Sequence, residues 1–254
     1  MLTPGISSPL ILKGDFFMST LTSRKDSAQK FKKLVIAAVF CALAFASMFI
    51  MRINVMFLTF DAKDAVVTIA GLILGPIYSL AISVTVAVIE SIAIGDTGFW
   101  GLLMDVLSTA VFSCTCALIY KYKKNIKGAI VGLVSSVLAM TAFMLLFNLF
   151  IVPLYTPGYT TAAVAKMIPT LFLPFNLTKA MLNAALVLIL YKPVSTALKA
   201  TKVLPSKVSH ESNDYNSKKG TLKFTLTVTA VGIVVIAVCL VVFFAFLNGK
   251  ISWG

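Results

Sequence analysis

Seven apolar runs follow one another along the chain, at roughly 34–51, 64–77, 78–95, 99–120, 128–153, 172–191 and 222–247. A helix rises 1.5 Å per residue, so runs of ~18–25 residues match a hydrocarbon layer of about 30 Å. With 59% of 254 residues hydrophobic and 12% charged, a water-soluble core could not hide so much apolar surface. The fold class is therefore an all-α integral membrane protein: a six-helix bundle plus one additional C-terminal transmembrane helix. Gly75-Pro76 separates the second run from the third in a tight turn. The second run, at ~14 residues, is short for a span and is expected to tilt or re-enter.

Charge then orients the bundle. The net charge of +13 lies between the apolar runs and not on a stripe with interleaved aromatics, which argues against a nucleic-acid partner. Arg24, Lys25, Lys30, Lys32 and Lys33 precede the first run, and Lys121, Lys123, Lys124 and Lys127 separate the fourth from the fifth. Seven lysines between 192 and 223 follow the sixth. The opposite side holds Arg52, Lys63, Lys166 and Lys250. This asymmetry predicts a multi-pass protein of the cell membrane with a cytoplasmic N-terminus and, after seven crossings, an external C-terminus.

The expected organisation is a disordered cytoplasmic N-terminus over 1–31, a six-helix substrate-binding domain over 32–192, a cytoplasmic linker over 193–220, and an extra helix with a short external tail over 221–254. The linker is polar and proline-punctuated, and nothing in the last apolar run has the look of a ligand site.

Catalysis and metal binding find little to work with. Cys41, Cys114, Cys116 and Cys239 lie inside apolar runs without CxxC spacing, and the single histidine, His210, falls in the linker. The cysteines read as small packing residues, and no metal site is expected. An intramembrane enzyme would need a nucleophile with a base at membrane depth, so the expectation is a non-enzyme.

Ionisable side chains inside the runs are few, and each costs about 2.5–3.5 kcal/mol on insertion scales, so each should face protein or water. Glu90 ends the third run, Asp105 opens the fourth, and Lys179 lies early in the sixth. In FLPFNLTKAMLN, Asn176, Lys179 and Asn183 are spaced by three and four residues and share a helix face. Asn148, in NLFIVPLY at the end of the fifth run, falls at the same outer level. Lysine can snorkel to the interface, and asparagines can join helices to one another. A polar-ligand pocket explains the set better, since amides offer paired donors and acceptors to a planar ligand with an amide or imide edge. Glu90 and Asp105 either join that pocket or neutralise Lys179. The loop 154–171 is expected to fold over the site as a lid, and RINVMFLTFDAKD (52–64) to form another wall. Ala38, Ala42 and Ala46 recur at every fourth residue of the first run, a stripe that admits close approach of another helix, within the bundle or outside it.

Together these stretches resemble the S components of energy-coupling-factor (ECF) vitamin transporters, most closely the riboflavin-specific RibU type. FLPFNLTKAMLN and NLFIVPLY carry the resemblance, supported by FDAKDAVVTIAGLILGP and KYKKNIKGA, over residues 32–192. It implies a substrate-capture subunit that takes riboflavin at the external face as transported substrate, with no cofactor. Asn148, Asn176 and Lys179 would face the ligand, with Asn183 one turn beyond and Asp105 and Glu90 as further candidates. Ala38, Ala42 and Ala46 would dock a coupling transmembrane subunit, which two ATPase subunits drive. The chain lacks GxxxxGK[ST], so energy must come from elsewhere. The sequence departs from the family pattern at Asp105, at the GDTGFWG turn and in the seventh run. The alternatives are another vitamin, flavin mononucleotide, or a secondary transporter using Asp105 or Glu90 as an ion site.

Overall fold

The structure is a computed structural model that describes residues 9–50, 52–55, 58–94, 98–123, 126–200, 229–239, 241 and 251–253. Helices α1 (Pro9–Ile50), α2 (Lys63–Leu74), α3 (Pro76–Ala93), α4 (Gly98–Tyr122), α5 (Ile126–Tyr155), α6 (Thr161–Met167) and α7 (Leu173–Ala200) follow in order. A last described helix, α8 (Thr229–Cys239), precedes a short strand. Among the described residues, five helical stretches are long and apolar enough to cross a bilayer, within α1, α3, α4, α5 and the α6–α7 unit. Exposed Val39, Leu43, Val131, Leu138 and Phe150 would be a liability in water; against lipid tails they are an ordinary solvent-facing surface.

The interior is closed by the opposite faces. Ile36, Phe40, Ala44 and Met48 of α1 pack with Val67 and Ile69 of α2, Ile82 and Val86 of α3, Phe112 of α4 and Met140 of α5. On the outer face of α1, Ala38, Ala42 and Ala46 are exposed. The stripe is thus not spent on packing within the bundle. Gly71 allows α2 to sit tightly, because a Cβ there would lie 2.8 Å from Ser79 Oγ and 3.1 Å from Ala117 Cβ. Gly75 turns the chain between α2 and α3 at φ 103°, a left-handed value that suits glycine, and Pro76 opens α3 where its missing N–H is harmless.

Several expectations change. Residues 9–31 are helical and continuous with the first span, not a disordered arm. Extending a helix already anchored in the bundle needs no new nucleus, and Arg24, Lys25, Ala28, Gln29 and Lys30 are good helix formers. At the other end α7 runs through Pro193 to Ala200, so the linker begins later than 193; its remainder, 201–220, lies outside the described residues. The seventh apolar run is described only over part of its length. There α8 packs on α7, with Gly232 close to Ile189 and with Val235, Ile236 and Cys239 against Phe175 and Leu182.

The two connections expected to be loops also have structure. Strands β1 (Arg52–Val55) and β2 (Leu58–Asp61) pair antiparallel as the two arms of a hairpin, from Arg52↔Asp61 to Val55↔Leu58. Strand β3 (Ile251–Trp253) adds to β1 in the order β2-β1-β3. The stretch 154–171 is mostly helix. Thr160 caps α6 by accepting from the Ala163 N–H at 3.3 Å, and a π-helical turn, Ile168–Phe172, leads directly into α7. Val164, Leu171 and Phe172 are buried, which draws this segment onto the bundle. By connectivity, the hairpin and the starts of α2, α4 and α7 share one end of the bundle.

Candidate functional site

The first turns of α7 carry the polar face anticipated from FLPFNLTKAMLN. Asn176, Lys179 and Asn183 are all buried among Phe172, Phe175 and Leu182. An ammonium in such surroundings needs acceptors, and the hairpin supplies them. Lys179 Nζ donates to the Thr59 carbonyl at 3.2 Å and to Asp61 Oδ2 at 3.3 Å, with Asp64 Oδ2 at 3.8 Å. Lys179 therefore does not snorkel.

Asn183 stitches the same junction from one turn further along. Its Nδ2 donates to the Asp61 carbonyl at 3.2 Å and to the Lys179 carbonyl at 3.1 Å, while its Oδ1 accepts the Ala65 N–H at 3.0 Å. That N–H belongs to the first turn of α2, where no intrahelical acceptor exists. The asparagine side chain thus does a cap's work from a distant helix. Asp64 is held in turn by Thr109 Oγ1 of α4 at 2.7 Å.

Glu90 and Asp105 have a different partner from the one expected. Both accept from Lys63 Nζ, and neither neutralises Lys179. Lys63 is 1% exposed although it opens α2, and Arg52 adds a guanidinium 4.0 Å from Glu90. The two clusters meet at Asp61: its Oδ1 accepts the Lys63 backbone N–H at 3.1 Å while its Oδ2 takes Lys179.

Asn148 and Asn176 stand apart from this network. Each amide turns back on its own helix, Asn148 Nδ2 to the Met144 carbonyl at 2.6 Å and Asn176 Nδ2 to the Phe172 carbonyl at 2.8 Å. Asn148 is fully buried, and its Oδ1 accepts no hydrogen bond. A buried amide oxygen left in this way is uncommon in a folded interior. Sequence reasoning missed Asp61, Lys63, Asp64 and Thr109. The available signal was three charges in four residues, D-A-K-D, abutting an apolar run too short to span. In the sequence Lys63 reads as a marker of topology and as one residue of the 52–64 wall, not as a site residue.

Comparison with known proteins places these features. The family described as "ECF transporter, substrate-specific component" matches residues 32–191. The chain is similar to riboflavin transporter RibU of Staphylococcus aureus (strain TCH60), 26% identical over 186 residues, covering 69% of this chain and 97% of that protein. It is also similar to riboflavin transporter FmnP of Bacillus subtilis (strain 168), 29% identical over 164 residues, 59% of this chain and 85% of the relative. Among solved structures, the S component of a bacterial ECF transporter superposes with a TM-score of 0.56 at 26% identity, covering 67% of this chain and 99% of that one.

Proposed function

Because the chain belongs to the substrate-specific components of ECF transporters, we propose that it captures riboflavin at the external face of the cell membrane and delivers it to a separate, ATP-driven coupling module. The observation that carries the ligand reading is the buried, unpartnered Oδ1 of Asn148. A flavin ring has an imide N–H that would satisfy such an acceptor, and its flat apolar face suits the aromatic and aliphatic side chains around Phe172. Asn176, whose Nδ2 donates to the Phe172 carbonyl of its own helix, would read the ring's carbonyl edge. Lys179 and Asn183 would take the ribityl hydroxyls, with the Asp61 junction holding the lysine in place. Both named relatives are riboflavin transporters, which supports the same ligand.

Docking follows from the other side of α1. Ala38, Ala42 and Ala46 form an exposed, nearly flat strip where a coupling subunit's helix could approach closely. The lysine distribution argues for a cytoplasmic N-terminus and puts the buried polar end outside. A secondary transporter using Glu90 or Asp105 as its ion site is less well supported, since Lys63 already occupies both carboxylates.

Titration of the purified, detergent-solubilised protein with riboflavin tests the reading directly. Saturable one-to-one quenching of flavin fluorescence is expected. Protein that purifies without flavin and shows no saturable quenching would overturn riboflavin as the substrate.

A further inference from the structure

We propose that Lys63 is a positioning residue for ligand capture, fixing the direction of the Lys179 ammonium through Asp61. The inference rests on the riboflavin reading above but concerns a residue outside the α5 and α7 face that reading uses. Lys63 is among the largest fully buried side chains, and its two ends do different jobs. Its ammonium is fastened to Glu90 on α3 and Asp105 on α4. Its backbone N–H holds Asp61 Oδ1 at 3.1 Å, leaving Oδ2 turned to Lys179.

The geometry makes a chain of four links: α3 and α4 grip the Lys63 side chain, Lys63 grips Asp61, Asp61 grips Lys179, and α7 carries Lys179. The last of these holds is only moderately tight, at 3.3 Å; the Thr59 carbonyl competes at 3.2 Å, and Asp64 Oδ2 lies at ion-pair distance, 3.8 Å. An ammonium shared between two acceptors is not aimed by either alone. Its aim depends on where the Asp61 carboxylate stands, and that carboxylate lies two residues from the fastening point. Asn183 braces the same turn through its backbone, at the Asp61 carbonyl and the Ala65 N–H, but makes no bond to the Asp61 carboxylate. Lys63 joins that carboxylate to both α3 and α4, whereas the route through Lys179 and Asp64 reaches Thr109 of α4 only.

Removing Lys63 alone would strand two carboxylates and could simply prevent folding. The informative variant is Lys63→Met/Glu90→Gln/Asp105→Asn, which removes the ammonium together with both carboxylates that accept from it. It should insert and remain monodisperse, yet bind riboflavin about tenfold or more weakly. Lys63→Arg, which keeps the charge, should recover most of the affinity. Adding Lys179→Met to the triple variant should cost little beyond Lys179→Met alone, because both act through one group. Wild-type affinity in the triple variant, or losses that simply add, would overturn the proposal. If the wild type fails to bind riboflavin, the ligand reading falls separately. The same cycle followed by thermal unfolding still decides the coupling: non-additive midpoint shifts support the link from Lys63 to Lys179, and additive shifts refute it.

Discussion

The Oδ1 of Asn183 accepts the backbone N–H of Ala65 at 3.0 Å, joining α7 to the first turn of α2 across 118 positions of sequence. The same amide donates to the Asp61 carbonyl, so one side chain satisfies both partners of a buried turn. Ala65 cannot find another acceptor in its own helix, and water is excluded at this depth.

Asn183→Leu should therefore destabilise the protein beyond the loss of ordinary contacts. Each orphaned buried group costs about 1–3 kcal/mol. Thermal unfolding in detergent should show a clear drop in midpoint, and riboflavin affinity should fall with it. A variant with the wild-type midpoint would show that the turn finds its partners elsewhere.

Lys179 separates binding from stability. Lys179→Met leaves Asp61 and Asp64 without their shared cation, and breaking a buried pair of this kind costs about 3–5 kcal/mol. Pairing it with Asp61→Asn removes much of that penalty. The double variant should regain stability relative to Lys179→Met while riboflavin binding stays weak. Recovery of both together would make the lysine a purely structural residue.

The alanine strip of α1 makes a prediction of the opposite kind. Ala42→Trp adds bulk to an exposed face and touches none of the buried polar network. Riboflavin affinity of the isolated protein should stay within about twofold of wild type, whereas uptake by cells carrying the coupling subunits should be lost. Uptake at the wild-type rate would show that a partner docks elsewhere.

The order of the long helices was legible because membrane helices announce themselves by the length of apolar runs, whereas α6, in a stretch expected to be a loop, was not. The face shared by Asn176, Lys179 and Asn183 was legible for a similar reason, since three- and four-residue spacing fixes it before any contact is known. The partners of these residues were not. Lys63 reads in sequence as a loop charge, and only the fold shows that α3 and α4 converge on it with Glu90 and Asp105. The hairpin was hidden because RINVMFLTFDAKD mixes polar and apolar residues without clean alternation, and its pairing is set by tertiary context. Asn148 and Asn176 bond to carbonyls four residues back, which any helical asparagine can do, so their spacing carried no sign of it.

Helix α2 has 12 residues, a length of about 18 Å, while the layer it stands in is about 30 Å thick. The remaining height, about 12 Å, falls to the chain that enters the helix, where Phe60 and Asp61 are buried. Non-helical backbone survives at such a level only when protein wraps it on every side. A molecule held at Lys179, beside Asp61, would therefore rest in a well sunk beneath the surface of the membrane, already partway across before any conformational change begins.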